Sequence, residues 1–418
     1  MFALSRGQIK AIQRSTHSLN LWYGSVSSGK TIAWLIMMLG EIKRAGPAGS
    51  LVIMGKSLDS IYQNVFEPLF SLPVFETAVP HIKYRRRQPT ATIFGREVLI
   101  IGVNDVGAEG RIRGGTYQKV FYDELTLCPE TVWDMIWSRM RAVGNPEPPR
   151  VFATTNPATP AHYLKTRFID RHEATDTYAQ LFTMDDNPGL SNEYRERTKA
   201  SYSGIFYRRM ILGEWAAAEG AVYETWDQDR MVQSRKPGEV VAVGIDYGTN
   251  HPSAGHALTI TEDGLQLTHE WSPQVNNMGG RSRLTDKELA DSLERWLATL
   301  PNQPRAIYAD PAAASFHEEL RRRGIRTAKA DNHVVDGIRT VESLLTSGTL
   351  TIAPECKQLI QEIPGYRWDP KATERGKDAP VKEKDDYCDA MRYTVFSSRG
   401  YWFRHVENLR RTTATDRH

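Results

Sequence analysis

Eight residues constrain this chain more than any others: Gly24, Ser25, Val26, Ser27, Ser28, Gly29, Lys30 and Thr31. They have the spacing G-x-x-x-x-G-K-[ST], with the apolar run Leu21-Trp22-Tyr23 before them and residues 32–39, almost entirely apolar, after them. Such text predicts a strand, a tight glycine turn and a buried helix, an arrangement that turns backbone N–H groups and a helix N-terminus toward phosphate oxygens. Lys30 is expected to reach the outer phosphates of a nucleoside triphosphate, and the Thr31 hydroxyl to bind Mg²⁺.

Beyond this helix the chain repeats the strand and helix alternation that builds a mainly parallel sheet. Residues 50–56 and 98–103 read as strands, and Val120-Phe121-Tyr122 runs straight into Asp123 and Glu124. Carboxylates at the end of a buried strand sit where open α/β sheets bind ligands. Asp123 is expected beside the Mg²⁺, and Glu124 is expected to polarise the water that attacks the γ-phosphate. Arg150 to Pro157 is a further strand, and at its end Thr155 and Asn156 are placed to sense that phosphate. Arg111 and Arg113 occupy a glycine-flanked loop from which a guanidinium could neutralise phosphate charge, within the subunit or across to a neighbour. Gln8, upstream of the glycine turn, is a candidate reader of adenine through its amide. Residues 83–87 are basic with one aromatic, a candidate contact for a nucleic-acid backbone or a solvated face.

Bulk composition adds limits. The 418 residues suggest two or three domains, and 53 Lys+Arg against 50 Asp+Glu give a net charge of only +3, so any nucleic-acid surface must be local. Cys128, Cys356 and Cys388 lack metal or disulfide spacing and suit a reducing cytoplasm. No leader pattern or membrane-length apolar run is present, so neither export nor a membrane partner is expected.

Residues 216–238 turn small, charged and proline-bearing, which predicts a linker between a first domain (1–215) and a second (239–398). The second opens with a strand ending in Asp246, then two strands joined by Glu262-Asp263-Gly264, a helix over 286–300, and a strand ending in Asp310. That order begins an RNase H-like fold. Near the end Asp386 and Asp389 are three residues apart and share one side of a helix, with Asp385 as its cap or a supporting group. Asp246, Asp310, Asp386 and Asp389 together suit two Mg²⁺ or Mn²⁺ ions about 4 Å apart, the arrangement of two-metal phosphoryl chemistry. His251, His256, His317 and His333 lack ligand spacing and read as surface or core residues. Residues 399–418, with Arg404, Arg410, Arg411 and Arg417, read as a basic flexible tail.

In this order and at this spacing the motifs resemble the large subunit of tailed-phage terminases, over residues 1 to about 398. The resemblance implies an ASCE-type P-loop ATPase followed by an RNase H-like nuclease. It implies that ATP hydrolysis drives double-stranded DNA through a portal protein into the procapsid, while the nuclease cuts concatemers to genome length. A small terminase subunit, a homo-oligomeric ring on the portal and the host cell cytoplasm come with it. By the same likeness Arg113 is the arginine offered to a neighbour's ATP, and Asp246, Asp310 and Asp389 are the nuclease ligands. Two departures stand out: many relatives carry His where this chain has Asp386, and some carry an arginine in the phosphate loop where it has Ser25 and Val26. The alternative is a helicase or repair ATPase fused to a resolvase-like nuclease.

Overall fold

The computed structural model describes residues 4–105, 107–142, 144–248, 251–273 and 284–415, with side chains as far as 409. The chain divides into two compact units. One comprises Met1–Lys199, Ile205–Ala217 and Glu374–Lys377; the other comprises Ala200–Gly204, Ala218–Thr373 and Asp378–His418. Among the described residues no helix is long and apolar enough to cross a membrane.

The first unit is built on eight strands: β1 (Leu19–Gly24), β2 (Ser50–Gly55), β3 (Ile82–Lys83), β4 (Thr90–Ile93), β5 (Arg96–Gly102), β6 (Tyr117–Tyr122), β7 (Arg150–Thr155) and β8 (Thr177–Phe182). Their order is β3-β4-β5-β2-β6-β7-β1-β8. From β5 to β8 every pairing is parallel, and β3 and β4 add an antiparallel edge. Both faces are covered, which is why residues 21–23 of β1, 51–54 of β2 and 120–122 of β6 read as unbroken apolar runs. Trp22, Trp34, Phe121 and Phe152 pack on one side, and Leu21, Tyr122, Trp133 and Val151 on the other. Because β7 lies between β1 and β6, the glycine loop, Asp123 and Asn156 all emerge at the carboxyl edge of adjacent strands.

The second unit holds β9 (Glu239–Asp246), β10 (Ala254–Thr261), β11 (Gly264–Trp271), β12 (Ala306–Ala309), β13 (Ala328–Lys329) and β14 (Leu350–Ile352), in the order β13-β12-β9-β10-β11-β14. Strands β9, β10 and β11 form the antiparallel meander, and β12 returns parallel to β9 after the helix Asp286–Leu297, as the RNase H-like reading expects. The helix Asp386–Ser397 lies on β9 and β10 and is buried along almost its whole length, from Asp386 to Phe396. It comes so close that a Cβ on Gly244 would fall 2.4 Å from the Thr394 backbone nitrogen. Only glycine fits at that position of β9.

Two expectations change here. Residues 218–238 are part of the second unit and not a free linker: Val222 N–H donates to Tyr366 O, Gln233 N–H to Ile352 O, and Gln266 Nε2 to the carbonyls of Gln233 and Ser234. The expected flexible tail is a helix, Arg399–Thr415, anchored by buried Trp402 and Val406. Arg404 on it is exposed, while Arg417 and the side chains of Arg410 and Arg411 lie outside the described residues.

Candidate functional site

The phosphate loop leaves β1 at Gly24 and enters the helix Lys30–Arg44, with Gly29 in the left-handed region at φ 76°. A Cβ on Gly29 would meet Gln8 Nε2 at 2.6 Å. That proximity sets Gln8 against the phosphate loop. Its Oε1 accepts from Ser5 N–H at 2.9 Å and its Nε2 donates to Gly29 O at 3.2 Å, so the amide caps its own helix and braces the loop with one hydrogen bond from each end. The loop is held from the other side as well: Asn187 Nδ2 donates to Ser27 O at 2.8 Å, and the Ser27 and Tyr194 hydroxyls are 2.9 Å apart. The amides of Ser25 and Val26 are committed to the carbonyls of Phe182 and Met210, so fewer loop N–H groups face a ligand than the motif alone suggests.

Lys30 is buried, and its ammonium donates to Ser25 O at 2.9 Å and to Asn156 Oδ1 at 2.8 Å. Burial pushes it down to about 8, with Asp123 and Glu124 acting in the opposite direction. The Ser25 and Ser28 hydroxyls are buried in the same loop and make no hydrogen bond among the described residues, and Thr31 follows in the first helical turn. Buried donors without partners and a desolvated ammonium form a cradle suited to phosphate.

Asp123 is buried next to this cradle. Thr154 Oγ1 donates to its Oδ1 and Asn64 Nδ2 to its Oδ2, each at 2.8 Å. Burial raises its carboxyl above the ordinary range, opposed by those two bonds and by Lys30. Glu124 follows in left-handed backbone (φ 57°), a strained turn that carries its side chain off the end of β6. Thr155 does not point at the lysine: its Oγ1 lies 2.6 Å from Thr126 Oγ1 and accepts from Thr126 N–H at 3.0 Å. Asn156 therefore touches Lys30 while its neighbour clasps the turn that bears Glu124.

The structure does not bring Arg113 into this site within the chain. Its guanidinium is exposed and pairs with Glu109 one helical turn away. The basic cluster at 83–87 is also partly neutralised, because Arg86 and Arg87 both pair with Asp59, at 2.8 and 2.9 Å, and Tyr84 stacks on Phe66.

In the second unit all four predicted aspartates line one cavity of about 470 Å³. Asp246 ends β9, Asp310 follows β12, and Asp386 and Asp389 open the helix that lies across β9. Asp246 is only 7% exposed, and its carboxylate makes no hydrogen bond or ion pair among the described residues. Burial raises its carboxyl well above the usual range, and Asp389, Asp310 and Asp386 push the same way. Burial also raises Asp386, opposed by His251. For Asp389 burial is outweighed by Arg392 and Lys382, and its carboxyl is lowered. Asp310 Oδ1 accepts from Ala312 N–H at 2.8 Å. Asp385 sits at the N-cap position without a side-chain cap bond, and its Oδ2 takes Lys382 at 2.9 Å.

His251 corrects the reading of the histidines. Its Nδ1 bonds to Asp386 Oδ1, and one ligand atom each from Asp246, His251 and Asp386 lie within 4.8 Å of one another. His256 is wholly buried, as a core residue would be, while His317 and His333 bond to Asp310 O and Asp331. Two carboxylates and an imidazole, one carboxylate lacking any partner among the described residues, suit a divalent cation.

Against this geometry, residues 21–227 match the family model for the N-terminal part of the terminase large subunit, T4likevirus-type. The large terminase of a thermophilic bacteriophage superposes with a TM-score of 0.84 at 30% identity, covering 95% of this chain and 98% of that one. The chain belongs to the large terminase family. The same thermophilic phage protein in complex with ATP-gamma-S gives a TM-score of 0.82 at 29% identity, over 94% of this chain and 100% of that one. The terminase large subunit of Escherichia phage T5 is 25% identical over 236 residues, 52% of this chain and 51% of that protein, so the match spans about half the length of that curated relative.

Several groups at these sites in this large terminase escape sequence reasoning. Asn64 reaches Asp123 from a π-helical turn, Tyr62–Phe66, that no periodicity announces. Thr154 stands one residue before the sensor pair, and strand alternation alone could have flagged it as facing away from Thr155. His251 and Lys382 arrive from loops whose paths depend on the folded sheet.

Proposed function

We propose that this large terminase is a DNA-packaging motor with a built-in endonuclease. The first unit hydrolyses ATP to drive double-stranded DNA through the portal into the procapsid; the second cuts concatemeric DNA to genome length. A homo-oligomeric ring on the portal, delivery of DNA by the small subunit, and action in the host cytoplasm complete the reading. The observation that carries it is the presence, in one chain, of a phosphate cradle around Lys30 and of a second cavity in which the buried Asp246 carboxylate has no partner among the described residues.

In the ATPase, Lys30 exchanges Ser25 O and Asn156 Oδ1 for phosphate oxygens, and Thr31 and Asp123 would hold Mg²⁺. Glu124 orients and polarises the attacking water. Asn156, losing or regaining Lys30 as phosphate arrives and departs, moves with the Thr155–Thr126 clasp and so couples hydrolysis to the turn bearing Glu124. Arg113 breaks its exposed pair with Glu109 to serve a neighbouring subunit's ATP, an exchange that costs little at the surface.

In the nuclease, Asp246, Asp310, Asp386 and Asp389 would hold two Mg²⁺ or Mn²⁺ ions, which when bound stabilise charge on the attacking and leaving oxygens of a DNA phosphodiester. The test is reciprocal. Asp246→Asn should abolish metal-dependent DNA cutting and spare ATP hydrolysis, and Lys30→Ala should do the reverse. Loss of both activities in both variants would refute the division of labour.

A further inference from the structure

Within the nuclease cavity the four aspartates are not equivalent. Among the described residues Asp246 has no partner, and Asp386 meets only His251 and its own helix. Asp389, by contrast, has both oxygens taken. Its Oδ1 accepts from Tyr366 OH at 3.2 Å and from Arg392 Nε at 3.3 Å; its Oδ2 accepts from the Lys382 ammonium at 2.8 Å. The same ammonium bonds Asp385 at 2.9 Å.

Lys382 is held there by the fold. The loop that bears it is tied down by Val381 N–H to Arg367 O and by Asp369 N–H to Ala379 O, and two residues further on Lys384 sits in the left-handed region at φ 50°. The segment's path fixes where Lys382 starts, yet its side chain is 63% exposed and its long stem can swing the charge into solvent. Arg392, nearly fully buried, has no such freedom.

We propose that Lys382 occupies the second cation position of the nuclease, so that divalent ions load in order. The first binds at Asp246, His251 and Asp386; the second binds at Asp389 only after the ammonium has swung away. The proposal rests on the nuclease reading above and adds two residues to it, His251 as a ligand for the first ion and Lys382 as an internal competitor for the second. A DNA backbone phosphate is a natural acceptor for the displaced ammonium, which would make full ion loading depend on substrate.

The test is Mn²⁺ binding to the full chain without nucleotide or DNA, by calorimetry and by the spin-resonance signal of free Mn²⁺. Ions of the nuclease cavity are those lost in Asp246→Asn. Wild type should bind one such ion tightly, and Lys382→Met or Lys382→Gln should gain a second or tighten it by about tenfold or more, as loss of an adjacent unit charge requires. Lys382→Arg should keep the wild-type count, and His251→Ala should weaken the first ion while leaving ATP hydrolysis intact. Two equal ions in wild type, or unchanged binding in both neutral Lys382 variants, would overturn the ordered loading. Unchanged Mn²⁺ binding in Asp246→Asn would instead sink the nuclease reading on which it rests.

Discussion

Gly244→Ala is a sharp perturbation because the methyl group has nowhere to go. Its Cβ would lie 2.3, 2.4 and 2.6 Å from the Oγ1, backbone nitrogen and Cα of Thr394, where ordinary contact is 3.4–4 Å. The hydroxyl could rotate, but the backbone of the helix Asp386–Ser397 could not. Strand β9 cannot retreat either, since Gly244 is paired to His256 on one side and Tyr308 on the other. The helix must therefore lift by about 1 Å, at the cost of roughly 1–3 kcal/mol typical of overpacking. Asp386 and Asp389 ride on that helix while Asp246 stays on β9, two residues from the substitution. A misplacement of this size costs on the order of 100-fold in reactions that need aligned groups. We expect a lower urea midpoint for the second unit, DNA cutting reduced by about that factor, and ATP hydrolysis unchanged. A variant with full cutting activity and an unchanged midpoint would refute the claim that helix-to-strand contact sets the geometry of the carboxylates.

Other outcomes turn on single groups. Thr154→Val keeps the volume but removes one of two bonds to buried Asp123; it should cost about 1–3 kcal/mol of stability and slow ATP hydrolysis, and equal turnover would argue that Asn64 alone positions the carboxylate. His256 is fully buried against Tyr387 O, and burial pushes its imidazole from 6.5 down to about 4, opposed by that carbonyl. Its folded form holds fewer protons than the unfolded chain between these values, so stability present above pH 6.5 is lost as pH falls toward 4, by up to about 3 kcal/mol. Urea midpoints of wild type and His256→Gln across that range should diverge, and parallel curves would contradict it. Releasing Asn187 from Ser27 O by Asn187→Ala should loosen the phosphate loop and raise the KM for ATP more than it lowers kcat, as steady-state kinetics can tell.

The motifs legible in the sequence are those whose chemistry is local. A glycine loop between a strand and a helix, and apolar strands ending in Asp123, Asp246 and Asp310, carry their meaning in residue type and short spacing. Period and turn chemistry are enough to order the sheets as parallel first and meander-led second. The brace from Gln8 to the phosphate loop was not legible because its capping bond to Ser5 is local but its bond to Gly29 is not. His251 escapes because ligand spacing along a chain cannot reveal a partner 135 positions away.

By itself the sequence determined which residues are able to carry charge, phosphate or a turn, and hence where the two candidate sites of this chain lie. Only the tertiary structure decided how those groups are shared. It commits Thr155 to Thr126, pairs Arg113 with Glu109, and gives Asp389 to Lys382 while leaving Asp246 without a partner among the described residues. The reason is physical: residue identity sets what a side chain can bond to, whereas burial and the paths of strands and loops set which of its possible partners it meets.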